Sequence, residues 1–123
     1  MTIEDKNVTF VLANDEPDCE HGDEAIRFAN VTDLVCEWRR ARKITAEGGA
    51  TSYTQIPKLI EEVYEFRDAK TEEEAKLEFG DILVVCVQIA RLRGLDMGEC
   101  LQLAYEKIKD RKGTMIDGRF VKE

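Results

Sequence analysis

The sequence predicts an all-α fold: an antiparallel, oligomeric bundle of about four helices, with an acidic irregular leader before it and a short hairpin-like tail after it. Three observations lead there. Apolar residues recur at Ile56, Leu59, Ile60, Val63 and Phe66, the i, i+3, i+4, i+7 repeat of a helix with one buried face. Thr71 with Glu74, and Asp96 with Glu99, form helix-opening capping signals ahead of two further apolar stretches. Glycine (8) and proline (2) are too scarce among 123 residues for a turn-dense β-sandwich.

The elements follow in chain order. Residues 1–23 read as the leader, with one short candidate strand at Val8–Leu12, and residues 24–123 as a single domain. A first helix is expected from about Glu24 to Ile44, with Ile26, Val31, Leu34, Val35 and Trp38 on one side. Gly48-Gly49 and the small polar residues around them make Thr45–Thr54 a loop. Thr54 then caps a second helix to about Ala69, with Pro57 in its first turn, where a missing N–H does no harm. A third helix spans Glu72 to Arg93 and stops at Gly94. Its stretch Ile82–Ala90 has one polar residue in nine, so it needs apolar neighbours all round, and a second subunit is expected to supply part of that cover. A fourth helix runs to about Asp110, with Cys100, Leu101, Leu103, Ala104 and Ile108 inward. Asp117-Gly118 between two apolar pairs predicts a tight two-residue hairpin turn.

Charge and cysteine content exclude several function classes. The net charge is −8, and residues 1–24 hold eight acids against one base, so the acidity belongs to the leader. No basic stripe is present to displace counterions from a nucleic-acid polymer. The longest apolar run, Ile82–Val87, is far short of the roughly 20 residues of a bilayer span, so no membrane is expected as a partner. Cys36, Cys86 and Cys100 lie within helical periodicity and read as small buried hydrophobes. Cys19-x-His21 offers too few ligands for zinc. A reducing, cytoplasmic location is expected.

The chemistry resides in two acidic doublets, Glu62 with Glu65 and Glu78 with Asp81, each pair spaced i, i+3 on its own helix. A short turn near Lys70-Thr71 makes the helices antiparallel. Counted from it, one doublet lies about eight and five residues back and the other about eight and eleven forward. At about 1.5 Å per residue the two stand at nearly the same height. Four converging carboxylates raise one another's pKa unless a cation intervenes, and Mg²⁺ suits such oxygen donors. The competing reading is a solvated acidic face. Gly80, unfavourable within a helix, suggests a close approach to the backbone there. Lys58, one turn before Glu62, and the pair Lys107 and Arg111 suit polyphosphate oxygens; the last helix's basic residues equally suit the negative end of its dipole. No P-loop, catalytic triad or G-x-G-x-x-G is present. Metal-assisted hydrolysis is the reaction class these residues fit.

These motifs resemble those of the MazG-like all-α nucleoside triphosphate pyrophosphohydrolases, of the small single-domain type. The resemblance rests on Glu61-Glu62-Val-Tyr-Glu65 and Glu78-Phe-Gly-Asp81 together, and on Gln55-Ile-Pro-Lys-Leu-Ile before the first motif. The blocks Ala104–Gly113 and Asp117–Glu123 add to it, so it covers about Val31 to Glu123. It implies hydrolysis of nucleoside triphosphates, dNTPs in particular, to monophosphate and pyrophosphate. It also implies Mg²⁺ as cofactor, with Mn²⁺ as a substitute, and a homodimer or dimer of dimers. Carried over, Glu62, Glu65, Glu78 and Asp81 match metal ligands, and Glu61 or Glu62 orients or deprotonates the attacking water. Lys107 and Arg111 match phosphate contacts. Asp110 stands where many members carry Asn, and Trp38 and the loop Gly48–Tyr53 lie where a base is held. The rival activities are phosphoribosyl-ATP pyrophosphohydrolysis, on the same fold, and a non-catalytic helical interaction protein.

Overall fold

A computed structural model of the protein describes residues 22–123. Four helices follow in order, α1 (Gly22–Ala41), α2 (Ser52–Arg67), α3 (Glu72–Arg93) and α4 (Met97–Ile108), and then a two-stranded antiparallel ribbon, β1 (Gly113–Ile116) and β2 (Arg119–Lys122). The expected all-α architecture is therefore present. The leader's candidate strand and the Cys19–His21 pair lie outside the described residues, and α1 already begins at Gly22.

Helix α2 starts three residues before the expected position, and the cause is a reciprocal cap. The Thr54 amide donates to Thr51 Oγ1 at 3.1 Å, and the Thr51 amide donates to Thr54 Oγ1 at 2.9 Å. Thr54 is thus the third residue in from the cap, and Pro57 lies inside the helix rather than in its first turn. The ring removes the N–H that would have bonded the Tyr53 carbonyl. Helix α3 has the expected bounds. Thr71 Oγ1 accepts from the Glu74 amide, and Gly94, at φ 67°, closes the helix in the left-handed region that glycine enters without strain. The ribbon turns at Asp117 and Gly118, both at positive φ (51° and 78°), as a tight primed turn requires. Its register pairs Met115 with Phe120.

Helices α2 and α3 form the main packing unit. Only residues 68–71 join them, and the Phe66 and Phe79 rings meet across the hairpin at 5.5 Å. Helix α1 packs on α3, where the Arg91 guanidinium donates to the buried Cys36 sulfur at 3.4 Å. The buried apolar set is small: Cys36, Ala69, Val85, Val87 and Ala90.

Two expectations about burial are corrected. No residue of α4 is buried: Leu101 is 73 % exposed, Leu103 62 %, and Cys100, Ala104 and Ile108 are exposed as well. Periodicity marks an apolar stripe, but α4 departs after Gly94, and among the described residues no element buries it. On α1, Ile26, Val31, Leu34 and Trp38 are likewise exposed. Nor does anything approach Gly80. No atom lies within 4 Å of where its Cβ would stand, and the residue instead borders an apolar cavity of about 370 Å³ between α1 and α3. Among the described residues no helix is long and apolar enough to cross a membrane.

The cap gives a direct test. Thr51→Ala removes one hydroxyl acceptor from the start of α2 and should lower unfolding free energy by about 1 kcal/mol, read from urea denaturation followed by circular dichroism.

Candidate metal centre

Helical repeat and the short α2–α3 connection bring together the four carboxylates that the sequence singled out. One oxygen from each of Glu62, Glu65, Glu78 and Asp81 lies within 4.8 Å of the other three. Glu62 is 4 % exposed, Glu78 half-buried, and Glu65 and Asp81 open to solvent, so the group is set at the edge of the hairpin rather than on a free surface.

Its electrostatics are unresolved within the protein. Lys58 Nζ reaches Glu62 Oε1 at 3.0 Å and Glu61 Oε1 at 3.6 Å, and its hydrogen bond to Glu62 holds the ammonium proton more tightly than usual. Among the described residues, Lys58 is the one cation in ion-pair contact with a member of the four-acid cluster. Three buried side-chain atoms among the described residues have no hydrogen-bond partner, and two of them are Glu62 Oε2 and Glu78 Oε2. A buried carboxylate oxygen without a donor is unfavourable by about 1–3 kcal/mol or more. The charge of Glu62, joined by that of Glu78, holds the Glu65 carboxyl above the usual carboxylate range. Two unpartnered oxygens, a carboxyl pushed above its usual range by its neighbours, and an all-oxygen donor set fit a hard divalent cation.

A cavity of about 400 Å³ opens beside the cluster. Glu62 and Asp81 border it together with Lys58, Trp38, Gln55 and Gln88. Trp38 is thus brought to the site: its ring is 43 % exposed, and the Arg42 guanidinium lies 4.7 Å from the ring centroid. Glu61 stays outside the carboxylate group, with its side chain solvent-exposed. Lys107, Asp110 and Arg111 are exposed around the end of α4 and do not line this cavity. The loop between α1 and α2 contributes Ile44 to the wall, whereas Gly48–Tyr53 do not line it.

A further residue at the cavity is Gln88, which belongs to no motif. It is the polar exception within Ile82–Ala90, and an amide in the most apolar stretch of a chain is a signal in itself. It is 5 % exposed, borders the cavity, and its side chain makes no hydrogen bond to a described residue. Among the described residues Cys36, Cys86 and Cys100 are free thiols. Cys36 is buried as expected, Cys86 half-buried, and Cys100 exposed on α4.

No curated protein and no solved structure matches the chain. The model of the MazG nucleotide pyrophosphohydrolase domain matches residues 50–116. That span takes in α2, α3 and α4, more than half of the chain, and contains all four clustered acids. With the two acidic doublets on an α2–α3 hairpin, the match makes the chain a member of the MazG nucleotide pyrophosphohydrolase family.

Proposed function

We propose that the protein hydrolyses nucleoside triphosphates, deoxynucleotides among them, to the nucleoside monophosphate and pyrophosphate, with Mg²⁺ as cofactor and Mn²⁺ as a substitute. The observation that carries this reading is the group of four carboxylates within 4.8 Å, with two buried oxygens left without donors. Glu62, Glu65, Glu78 and Asp81 would hold the ion. When bound, it supplies positive charge against phosphate oxygens and lowers the pKa of water.

The remaining roles belong to the side chains. Glu62, within the group and next to the cavity, orients the water that attacks the α-phosphorus and accepts its proton. Glu61, exposed and shared only with Lys58, supports that ammonium. Lys58 offers its charge to the triphosphate from the cavity wall, and Trp38 offers an aromatic surface to the base. Lys107 and Arg111 neutralise the pyrophosphate leaving group, with Asp110 beside them. Since these three stand apart from the cavity lining of one chain, they meet a triphosphate through assembly. We propose a homodimer or dimer of dimers, supported by the exposed apolar faces of α1 and α4. The three free thiols described are in keeping with a reducing cytoplasm as the compartment.

Three measurements test this reading. Pyrophosphate release should be seen from nucleoside triphosphates only with Mg²⁺ or Mn²⁺. Glu62→Gln and Asp81→Asn should each lower kcat by about two orders of magnitude or more with the helical spectrum intact, and Glu61→Gln by less. Wild-type rates in the first two variants would exclude the site.

Divalent cation should raise the melting temperature. At a hundred times its Kd, binding only to the folded chain stabilises by about 2.7 kcal/mol. The pH dependence has opposite signs with and without the ion. Glu65 holds its proton above the usual range, so its contribution to metal-free stability is present at low pH and lost as pH rises through its folded pKa. With cation present, that proton competes with the metal, so the stabilisation shrinks as pH falls through the same range. Plots of melting temperature against pH from 4 to 8, with and without Mg²⁺, should converge at the acid end and diverge as pH rises. Sedimentation equilibrium should give a mass of two or four chains; a monomer at micromolar concentration would remove the assembly from the reading.

A further inference from the structure

Beyond the triphosphate chemistry, and resting on that reading of the site, we propose that Gln88 is the residue that reads the substrate's nucleobase. Gln55 stands opposite it, and Trp38 serves as the stacking surface.

The placement follows from two stripes with one spacing. On α2, Gln55, Lys58, Glu62 and Glu65 are separated by three, four and three residues; on α3, Glu78, Asp81, Val85 and Gln88 repeat the same steps. Residues so spaced share one face of a helix. Because the helices are antiparallel, the acids of both stripes gather toward the α2–α3 turn and both carboxamides fall at the far end. Gln88 and Gln55 border the same cavity as Glu62, Asp81 and Trp38. From Asp81 to Gln88 is two helical turns, about 10 Å along the axis, which leaves room for a pentose between phosphate and base.

Chemistry favours Gln88 over its neighbours for this role. A carboxamide presents a donor and an acceptor side by side, the pattern with which an amide meets a base edge in a bidentate pair. Gln55 already donates weakly to Thr54 Oγ1 at 3.5 Å, whereas the Gln88 side chain makes no hydrogen bond to a described residue. Its donor and acceptor, at the cavity wall, are both free for a polar edge that enters. The other α3 residues on the cavity wall beyond Asp81, Val84 and Val85, are apolar and cannot distinguish one base edge from another.

The test compares kcat/KM for pyrophosphate release from dATP, dGTP, dCTP, dTTP, dUTP and the base-free probe 2-deoxyribose 5-triphosphate, with Mg²⁺. Gln88→Met keeps length and volume but cannot hydrogen-bond; Gln88→Asn keeps the amide and shortens its reach. We expect either variant to lower kcat/KM for the preferred base about tenfold or more and to flatten the ranking of bases. Turnover of the base-free probe should stay within twofold of wild type. The melting temperature of Gln88→Met without nucleotide should match that of wild type, because the Gln88 side chain bonds no described residue. An unchanged base ranking in both variants, or an equal loss on the base-free probe, overturns the assignment and leaves the hydrolytic reading standing. Absence of turnover of every triphosphate by the wild-type protein overturns both.

Discussion

The mutual repulsion of four carboxylates is the constraint from which the rest of this structure is best understood. Helical spacing places two acids on one face of α2 and two on one face of α3, and a connection of four residues leaves the hairpin no freedom to keep them apart. Two like charges about 4 Å apart repel by about 4 kcal/mol at an effective dielectric of 20. The protein offers only partial relief: Lys58 on one side of Glu62, and solvent at the open edge, while the neighbouring charges push the Glu65 carboxyl above the usual range. A fold assembled against such a term carries a site that is incomplete without positive charge from outside.

The parts of the fold that were legible in the sequence are those encoded within a few residues. The bounds of α3 follow from Thr71 and Gly94, the ribbon turn from Asp117-Gly118, and the acidic group from an i, i+3 spacing read twice around a short turn. Errors arose where two local signals competed or where a neighbour had to be inferred. Thr51 and Thr54 are both able to cap, and their reciprocal hydrogen bonds, invisible in a one-dimensional pattern, decide for Thr51. The apolar residues of α4 recur at helical spacing, but periodicity says nothing of what covers them, and all five expected inward positions are exposed. Glycine at position 80 weakens a helix and so suggests a close approach, yet it leaves space open instead. Lys107 and Arg111 suit phosphate, and Asp110 stands where the resemblance puts Asn in many members; the described residues of one chain do not bring the three to the cavity.

Helix α1 illustrates how a weakly amphipathic segment still contributes to a site. Its attachment to α3 runs through Cys36, whose sulfur accepts from Arg91, and through Val31 and Val35, which border the apolar cavity that also touches Gly80 and Asp81. Asp81 therefore forms part of two walls, one polar and one apolar. One turn beyond Val35, the same helix delivers Trp38 to the polar side. The Trp38 wall of the polar cavity and the acid group are thus carried on separate elements, α1 and the hairpin, joined by modest contacts.

Trp38 is the sole tryptophan of the chain, and it borders the cavity with the Arg42 guanidinium over its ring. Intrinsic indole emission from this protein consequently originates at one place. No label and no mutation are needed to watch the cavity fill or empty: light absorbed by that ring carries the optical record of the site alone, against a background free of other indoles.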